Sequence, residues 1–180
     1  MYGIVNKTIE ELVTENFGHQ AWEGVRKRSG IEVDFFLSNE AYDDSITYQL
    51  ATAASEELNI TLDEVMIAFG EFWVLSTGKK KYGAMMEAGG SNLKEFLINL
   101  PNFHNRVSLI YPKLAPPEFK VSHVVENGLH LHYYSHRPGL KEFVRGLIQG
   151  LSKMYDVKTQ IELIESRDAG SNHEVYAIKW

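Results

Sequence analysis

The stretch "LHLHYYSHRPGL", Leu129 to Leu140, concentrates hydrogen-bonding side chains at regular spacing. Read as a strand, it places Leu129, Leu131, Tyr133, Ser135 and Arg137 on one face and His130, His132, Tyr134 and His136 on the other, because successive strand side chains point to opposite sides. The first face begins apolar, as a core face does, and ends in two hydroxyls and a guanidinium. A guanidinium keeps its charge when buried. No acidic residue stands beside Arg137 in the sequence, so a bound carboxylate or phosphate, which accepts its forked donors in pairs, is a candidate partner. The plainer alternative is a solvated arginine at a strand end, and the two hydroxyls on the same face weigh against it. The second face offers other chemistry. His130 and His132, two residues apart with His136 nearby, could chelate a zinc ion. Glu126 or Glu142 could then serve as base for an activated water, making a small hydrolase. Histidines on an exposed strand face are more often simply solvated.

A second unusual residue stands upstream. In "EFLINLPNFHNRVSL", Leu97, Leu100, His104 and Val107 share one helical face, which sets an imidazole in an apolar wall. A lone histidine there is commonly a satisfied core residue. Combined with the first face of the strand, it reads differently. An apolar slot, one imidazole and a hydroxyl-arginine clamp for anionic groups are the parts that hold a haem: the macrocycle wants apolar walls, the iron a nitrogen ligand, and the two propionates charge-assisted donors. A lipid-like molecule in the same cavity is a further reading, with the protein as an interaction module.

These residues need elements to position them. "NKTIEELVTENFG" carries Val5, Ile9, Leu12 and Val13 at helical spacing and stops at Gly18. A second helix is predicted from His19 to Arg28 and a third over "DDSITYQLATAASEEL". "TLDEVMIAFGEFWVLSTG" follows as a helix, with Thr61 and Glu64 spaced as a capping box. "NLKEFLINLPNFHNRVSLIYP" predicts a helix, a bend marked by proline, and a second helix ending before Pro112. The last third changes period. "EFKVSHVV", "LHLHYYS", "DVKTQIELIE" and "HEVYAIKW" read as strands, with Asn127-Gly128 as a hairpin turn between the first two. The apolar stripe Leu140, Phe143, Val144, Leu147, Ile148, Leu151 and Met154 predicts a helix between the second and third strands. The fold class expected is α+β: helices on a mainly antiparallel sheet of about four strands.

Composition narrows the function classes. The 180 residues suffice for one domain with a sizeable core. A formal net charge of -6 disfavours nucleic acid, whose phosphates need a basic face. No apolar run approaches the length that spans a membrane, and the start "MYGIVNKTIEELV" lacks signal-peptide features, so the cytoplasm is the expected location. The chain has no cysteine, which excludes disulfides, thiolate ligands and catalytic thiols.

The stretches "LHYYSHRPGL", "NFHNRV" and "MYGIVNK" resemble the H-NOX (haem-nitric oxide/oxygen binding) family, including the haem domain of the soluble guanylate cyclase beta subunit. The similarity extends through "YDDSITYQLATAASEELN", "FGEFWV", "GSNLKEFLINL" and "APPEF". The resemblance implies haem b as cofactor and His104 as the axial ligand of its iron. It implies that Tyr133, Ser135 and Arg137 bind the propionates and that Pro117 presses on the haem and distorts it. It also implies a distal subdomain over residues 1–60 and a proximal one over 61–180 within a single domain. Val5, Trp73, Phe143 and Leu147 match the distal gas pocket. None is a tyrosine, Trp73 is the one donor among them, and bound oxygen needs a donor. Nitric oxide and carbon monoxide are therefore the expected ligands, without a stable oxygen complex. By the same resemblance, nitric oxide weakens the iron bond to His104, the helix carrying His104 is released, and the two subdomains shift. No kinase or cyclase motif occurs in the sequence, so the expected domain is a sensor rather than an enzyme. Its partner would be a histidine kinase, a cyclic-di-GMP enzyme or a cyclase.

Overall fold

A computed structural model describes residues 1–111 and 115–180. Three helices come first: α1 (Gly3–Phe17), α2 (His19–Ser29) and α3 (Asp44–Leu58). Gly18 breaks the first pair at φ 88°, a conformation that favours glycine. Asp43 caps α3 by accepting from the Ser45 amide. The next helix, α4 (Leu62–Phe72), begins with the capping box read from the sequence, Thr61 and Glu64 each bonding the other's backbone amide.

The expected continuation of α4 to Gly78 is not what forms. Residues Trp73–Gly78 make one π-helical turn, and α5 (Lys79–Glu87) follows. The wider turn shifts the helical register, which hydrophobic periodicity does not reveal. Behind it, Thr77 meets Thr8 of α1 through a buried hydroxyl pair at 3.0 Å. The expected pair of helices around Pro101 is one helix, α6 (Leu93–Ile110), with the proline inside it. Proline removes one backbone donor, yet Leu93, Phe96, Leu97 and Leu100 bury the first half of α6 and hold it in place. The stop near Pro112 falls at Ile110; Pro112 itself lies outside the described residues.

The sheet has four antiparallel strands in the order β1-β2-β4-β3: β1 (Glu118–Val125), β2 (Gly128–Tyr134), β3 (Gln160–Glu165) and β4 (Glu174–Lys179). The α+β expectation holds. In the β1-β2 hairpin, however, Val125 pairs with Gly128, so the turn residues are Glu126 and Asn127. Gly128 is needed for another reason: a Cβ there would stand 2.7 Å from the Ile178 carbonyl oxygen of β4. Helix α7 (Lys141–Met154) crosses from β2 to β3 and packs closely on α4. Glycine makes that approach possible, since a Cβ on Gly70 would lie 2.1 Å from the Phe143 carbonyl and one on Gly146 2.1 Å from that of Ile67. The close crossing brings Phe143 and Leu147 beside the π turn.

Candidate functional site

The inner side of the sheet carries Leu129, Leu131 and Tyr133 of β2, all at most 3% exposed. Tyr133 packs on Phe119 of β1 with ring centres 5.3 Å apart, and Phe119 packs on His104 at 4.9 Å. The imidazole thus stands over the inner sheet face, carried there by α6. Its Nδ1 lies 3.1 Å from the Leu100 carbonyl oxygen. A carbonyl only accepts, so Nδ1 carries the proton and Nε2 keeps its lone pair. Burial pushes the His104 pKa down, only partly offset by the Leu100 bond, so the ring is neutral at neutral pH.

Beyond Tyr133 the strand ends and the chain turns. The Tyr133 hydroxyl bonds Ser135; burial raises its pKa, against the lowering effects of Ser135, Arg167 and Arg137. The Arg137 amide donates to Ser135 Oγ at 3.1 Å. The Arg137 guanidinium has a protein partner that the sequence did not suggest: Nε donates to Asp44 Oδ2 at 2.7 Å, and Nη1 donates to the Ala115 carbonyl at 2.8 Å. Asp44 lies 93 positions away, on α3, and also accepts from the Met1 ammonium. Burial acts to raise the Asp44 pKa, but those hydrogen bonds outweigh it and hold the carboxyl below its ordinary range.

A residue absent from the sequence reading organises the same turn. Arg167 donates from Nη1 to the Ser135 carbonyl and from Nη2 to the Arg137 carbonyl, both at 2.8 Å. Its Nε meets the Glu174 carboxylate at 2.8 and 3.1 Å. Glu174 is 3% exposed. A signal was available, because Glu174 shares its strand face with Tyr176 and Ile178, and a charge on a core face needs a buried partner.

Three adjoining cavities lie between these elements, of about 170, 140 and 80 Å³. His104 and Trp73 border all three and so divide the space. Every site residue read from the sequence reaches the 170 Å³ cavity: His104, Pro117, Tyr133, Ser135 and Arg137, together with Val5, Trp73, Phe143 and Leu147. Tyr2 and Thr47 line it as well, so Trp73 is not the lone uncharged polar group away from the Arg137 end. Thr47 donates its hydroxyl proton to Asn6 Oδ1 at 2.5 Å.

The zinc reading of the other strand face is corrected. His132 bonds His173 (Nδ1 to Nε2, 2.9 Å) and Ser122 (2.7 Å), His130 stacks on His123, and His136 is exposed in the turn. Among the described residues no group of three or more His, Asp or Glu is placed to hold a metal. Glu142 pairs with Arg145 at 2.7 Å.

The site's composition can be tested against a haem. Apolar walls, one neutral imidazole with a lone pair on Nε2, and a cation with hydroxyls at one end match a flat apolar cofactor with an iron and two carboxylates. The sequence itself decides the family. Residues 2–163 match the family described as Haem-NO-binding. The chain belongs to that family. Haem-NO-binding (H-NOX) proteins are haem-based gas-sensing domains used in signal transduction. The chain is 30% identical to soluble guanylate cyclase gcy-32 of Caenorhabditis elegans, over 96% of this chain and 26% of that protein. It is 28% identical to gcy-31 of the same organism, over 92% of this chain and 24% of that one. It thus spans about a quarter of the length of these curated relatives. An H-NOX protein from Shewanella oneidensis, solved in its Fe(II)NO ligation state, superposes with a TM-score of 0.87 at 20% identity, covering 99% of this chain and 98% of that one. The unliganded Fe(II) H-NOX protein from K. algicida gives 0.85 at 23% identity, over 99% of this chain and 96% of that one. The H-NOX fold is therefore shared throughout. No helix among the described residues is long and apolar enough to cross a membrane.

Proposed function

We propose that this domain holds haem b in the divided cavity, where His104 would ligate its iron and Tyr133, Ser135 and Arg137 would hold its propionates, and that it senses nitric oxide and carbon monoxide. The ferrous iron of a bound haem supplies the coordination position that a gas takes. The chain's own residues do the rest. His104 is presented neutral, with its free lone pair on Nε2, because the Leu100 carbonyl holds Nδ1–H. The uncommitted Nε2 carries the reading, since among the described residues the ring's one hydrogen bond is through Nδ1 and the ring borders the cavity. Val5, Phe143, Leu147 and Trp73 add largely apolar wall to the cavity, and Pro117 borders two of the cavities together with His104.

Signalling on this reading uses contacts between residues 1–60 and 61–180, the proposed distal and proximal parts. Arg137 reaches Asp44, Tyr48 donates to the Pro138 carbonyl at 2.8 Å, and Thr8 meets Thr77. A displacement of the Tyr133–Arg137 segment is passed to α3 through the first two. A ligand then shifts a two-state equilibrium by its differential affinity for the two arrangements. The output is proposed to lie in an effector to which the domain is coupled. The relatives' names favour a nucleotide cyclase over a histidine kinase or cyclic-di-GMP enzyme.

The test is an absorption spectrum of the reduced protein under nitric oxide, carbon monoxide and air. The first two are expected to give stable complexes. Air is expected to leave the protein ligand-free or slowly oxidised, because Val5, Phe143 and Leu147 offer no hydroxyl and the Thr47 proton is already given to Asn6; the Tyr2 hydroxyl, also on this cavity, is the donor the measurement tests. A persistent oxy spectrum overturns the gas selectivity and makes Tyr2→Phe and Thr47→Val the next variants. A colourless protein that takes up no haem overturns the whole reading.

A further inference from the structure

We infer that Arg167, held by Glu174, is a positioning residue for the anion clamp: it sets where Ser135 and Arg137 stand without touching the ligand itself. The inference rests on the proposed role of those two residues toward the haem propionates.

A strand positions its side chains through its ladder, but the ladder ends before the clamp does. The last residue of β2 paired to β1 is Tyr134, and the last paired to β4 is Tyr133. Ser135 and Arg137 therefore lie past the sheet, in a turn leading to Gly139 at φ 71°. A clamp on an unsupported turn would point its donors in many directions. One guanidinium supplies the missing support, since its planar fork reaches the carbonyls of Ser135 and Arg137 at once, spanning His136. These are main-chain contacts, so they fix the course of the backbone and with it the exit direction of both side chains. The Ser135 Oγ contact to the Arg137 amide closes the same turn from inside.

Glu174 is what holds the fork. It is nearly fully buried, and Arg167 Nε meets both its oxygens. It is paired with Tyr133 across the β2-β4 ladder. The anchor is thus built into the neighbouring strand at the level where β2 stops, and Arg167 reaches back from the short 3-10 turn Arg167–Ala169. An arginine needed only to neutralise Glu174 would have no reason to commit its other two nitrogens to these two carbonyls. A lysine in its place could pair with Glu174 but could not hold both carbonyls in one rigid geometry.

The experiment measures haem release from the full chain into excess apoglobin for Arg167→Lys, for Ser135→Ala/Arg137→Ala, and for the three changes together. Arg167→Lys keeps a cation beside Glu174 and so protects folding. It is expected to speed release about tenfold, the usual scale for removing a support behind a ligating group. In the clampless background the same change is expected to add nothing, because the groups it positions are gone. Glu174→Gln, which loosens the anchor while keeping an acceptor, is expected to act in the same direction and more weakly. Additive effects in the combined variant overturn the inference, as does wild-type release from both Arg167→Lys and Glu174→Gln; either leaves the clamp reading intact. Unchanged release from Ser135→Ala/Arg137→Ala overturns the clamp reading itself.

Discussion

Histidine meets both sides of the sheet among aromatic rings, and the two sides differ in company. On the inner side His104 stands alone with Phe103, Phe119 and, beyond it, Tyr133. On the outer side His123, His130, His132 and His173 contact one another in pairs, with Tyr134 stacked on His173 at 4.1 Å. The outer rings find their partners in each other and in Ser122, and they are open to water. Among the described residues the inner ring has one polar contact, the Leu100 carbonyl, and a cavity in front of it. Chemical potential follows from isolation rather than number: four histidines that satisfy one another leave little to give a ligand, whereas one histidine with a fixed tautomer and an uncommitted lone pair has a coordinating site to offer.

The comparison breaks most sharply at His104. His104→Gly is expected to abolish the protein's own axial ligation and lose most haem, and added imidazole is expected to restore binding by filling the cavity. Replacing His130 and His132 together with alanine is expected to leave haem content at the wild-type level. Pigment content and the visible spectrum read both. Haem retained with an unaltered spectrum in His104→Gly, without imidazole, sinks the assignment.

The strand's end offers a sharper cut, because neighbouring residues point to opposite sides. Arg137→Ala is expected to release haem at least tenfold faster, since a charge-assisted hydrogen bond contributes about 1.5–3 kcal/mol. His136→Ala is expected to match wild type. Asp44→Asn separates the two duties of Arg137. It removes the ionic partner but keeps the guanidinium, so a haem-binding arginine predicts slower release than in Arg137→Ala. Equal release from Arg137→Ala and Asp44→Asn would mean that the arginine serves the ion pair alone.

What the sequence made legible follows its local physics. Period and capping found the four strands and every α-helix but α5, and strand alternation found which face of β2 turns inward. Sequence reading missed what depends on partners far along the chain. Nothing near Arg137 announces Asp44, and the π turn at Trp73, which lies against α7, leaves no mark in hydrophobic periodicity. Proline usually costs a helix, so Pro101 predicts a bend, while the buried residues before it keep α6 continuous. Asn127-Gly128 marked the hairpin correctly but for a different reason, as Gly128 is required by the Ile178 backbone.

The smallest effect expected is on the outer side, in acid. Burial lowers the His132 pKa, and the charges of His173, His130 and His123 lower it further, while Glu165 of β3 opposes them. Lys120 of β1 stands across from His132, its charge paired with Glu118 at 3.0 Å. The sign of the pH effect follows. With a folded-state value below the ordinary 6.5, His132 binds its proton more readily when unfolded. Stability from this group is therefore complete above that ordinary value and is lost as pH falls from it toward the folded-state value. The 2.9 Å contact between His132 and His173 sharpens the loss, since two charged rings cannot share that hydrogen bond. His104 shifts in the same direction, so the wild-type slope contains both. His132→Gln isolates the outer contribution while leaving His104 in place. Urea midpoints taken from neutral pH down to about pH 5 should fall less steeply in the variant than in wild type, and only modestly so, because water screens a half-exposed ring. Parallel slopes would mean that His132 takes up its proton without cost to the fold.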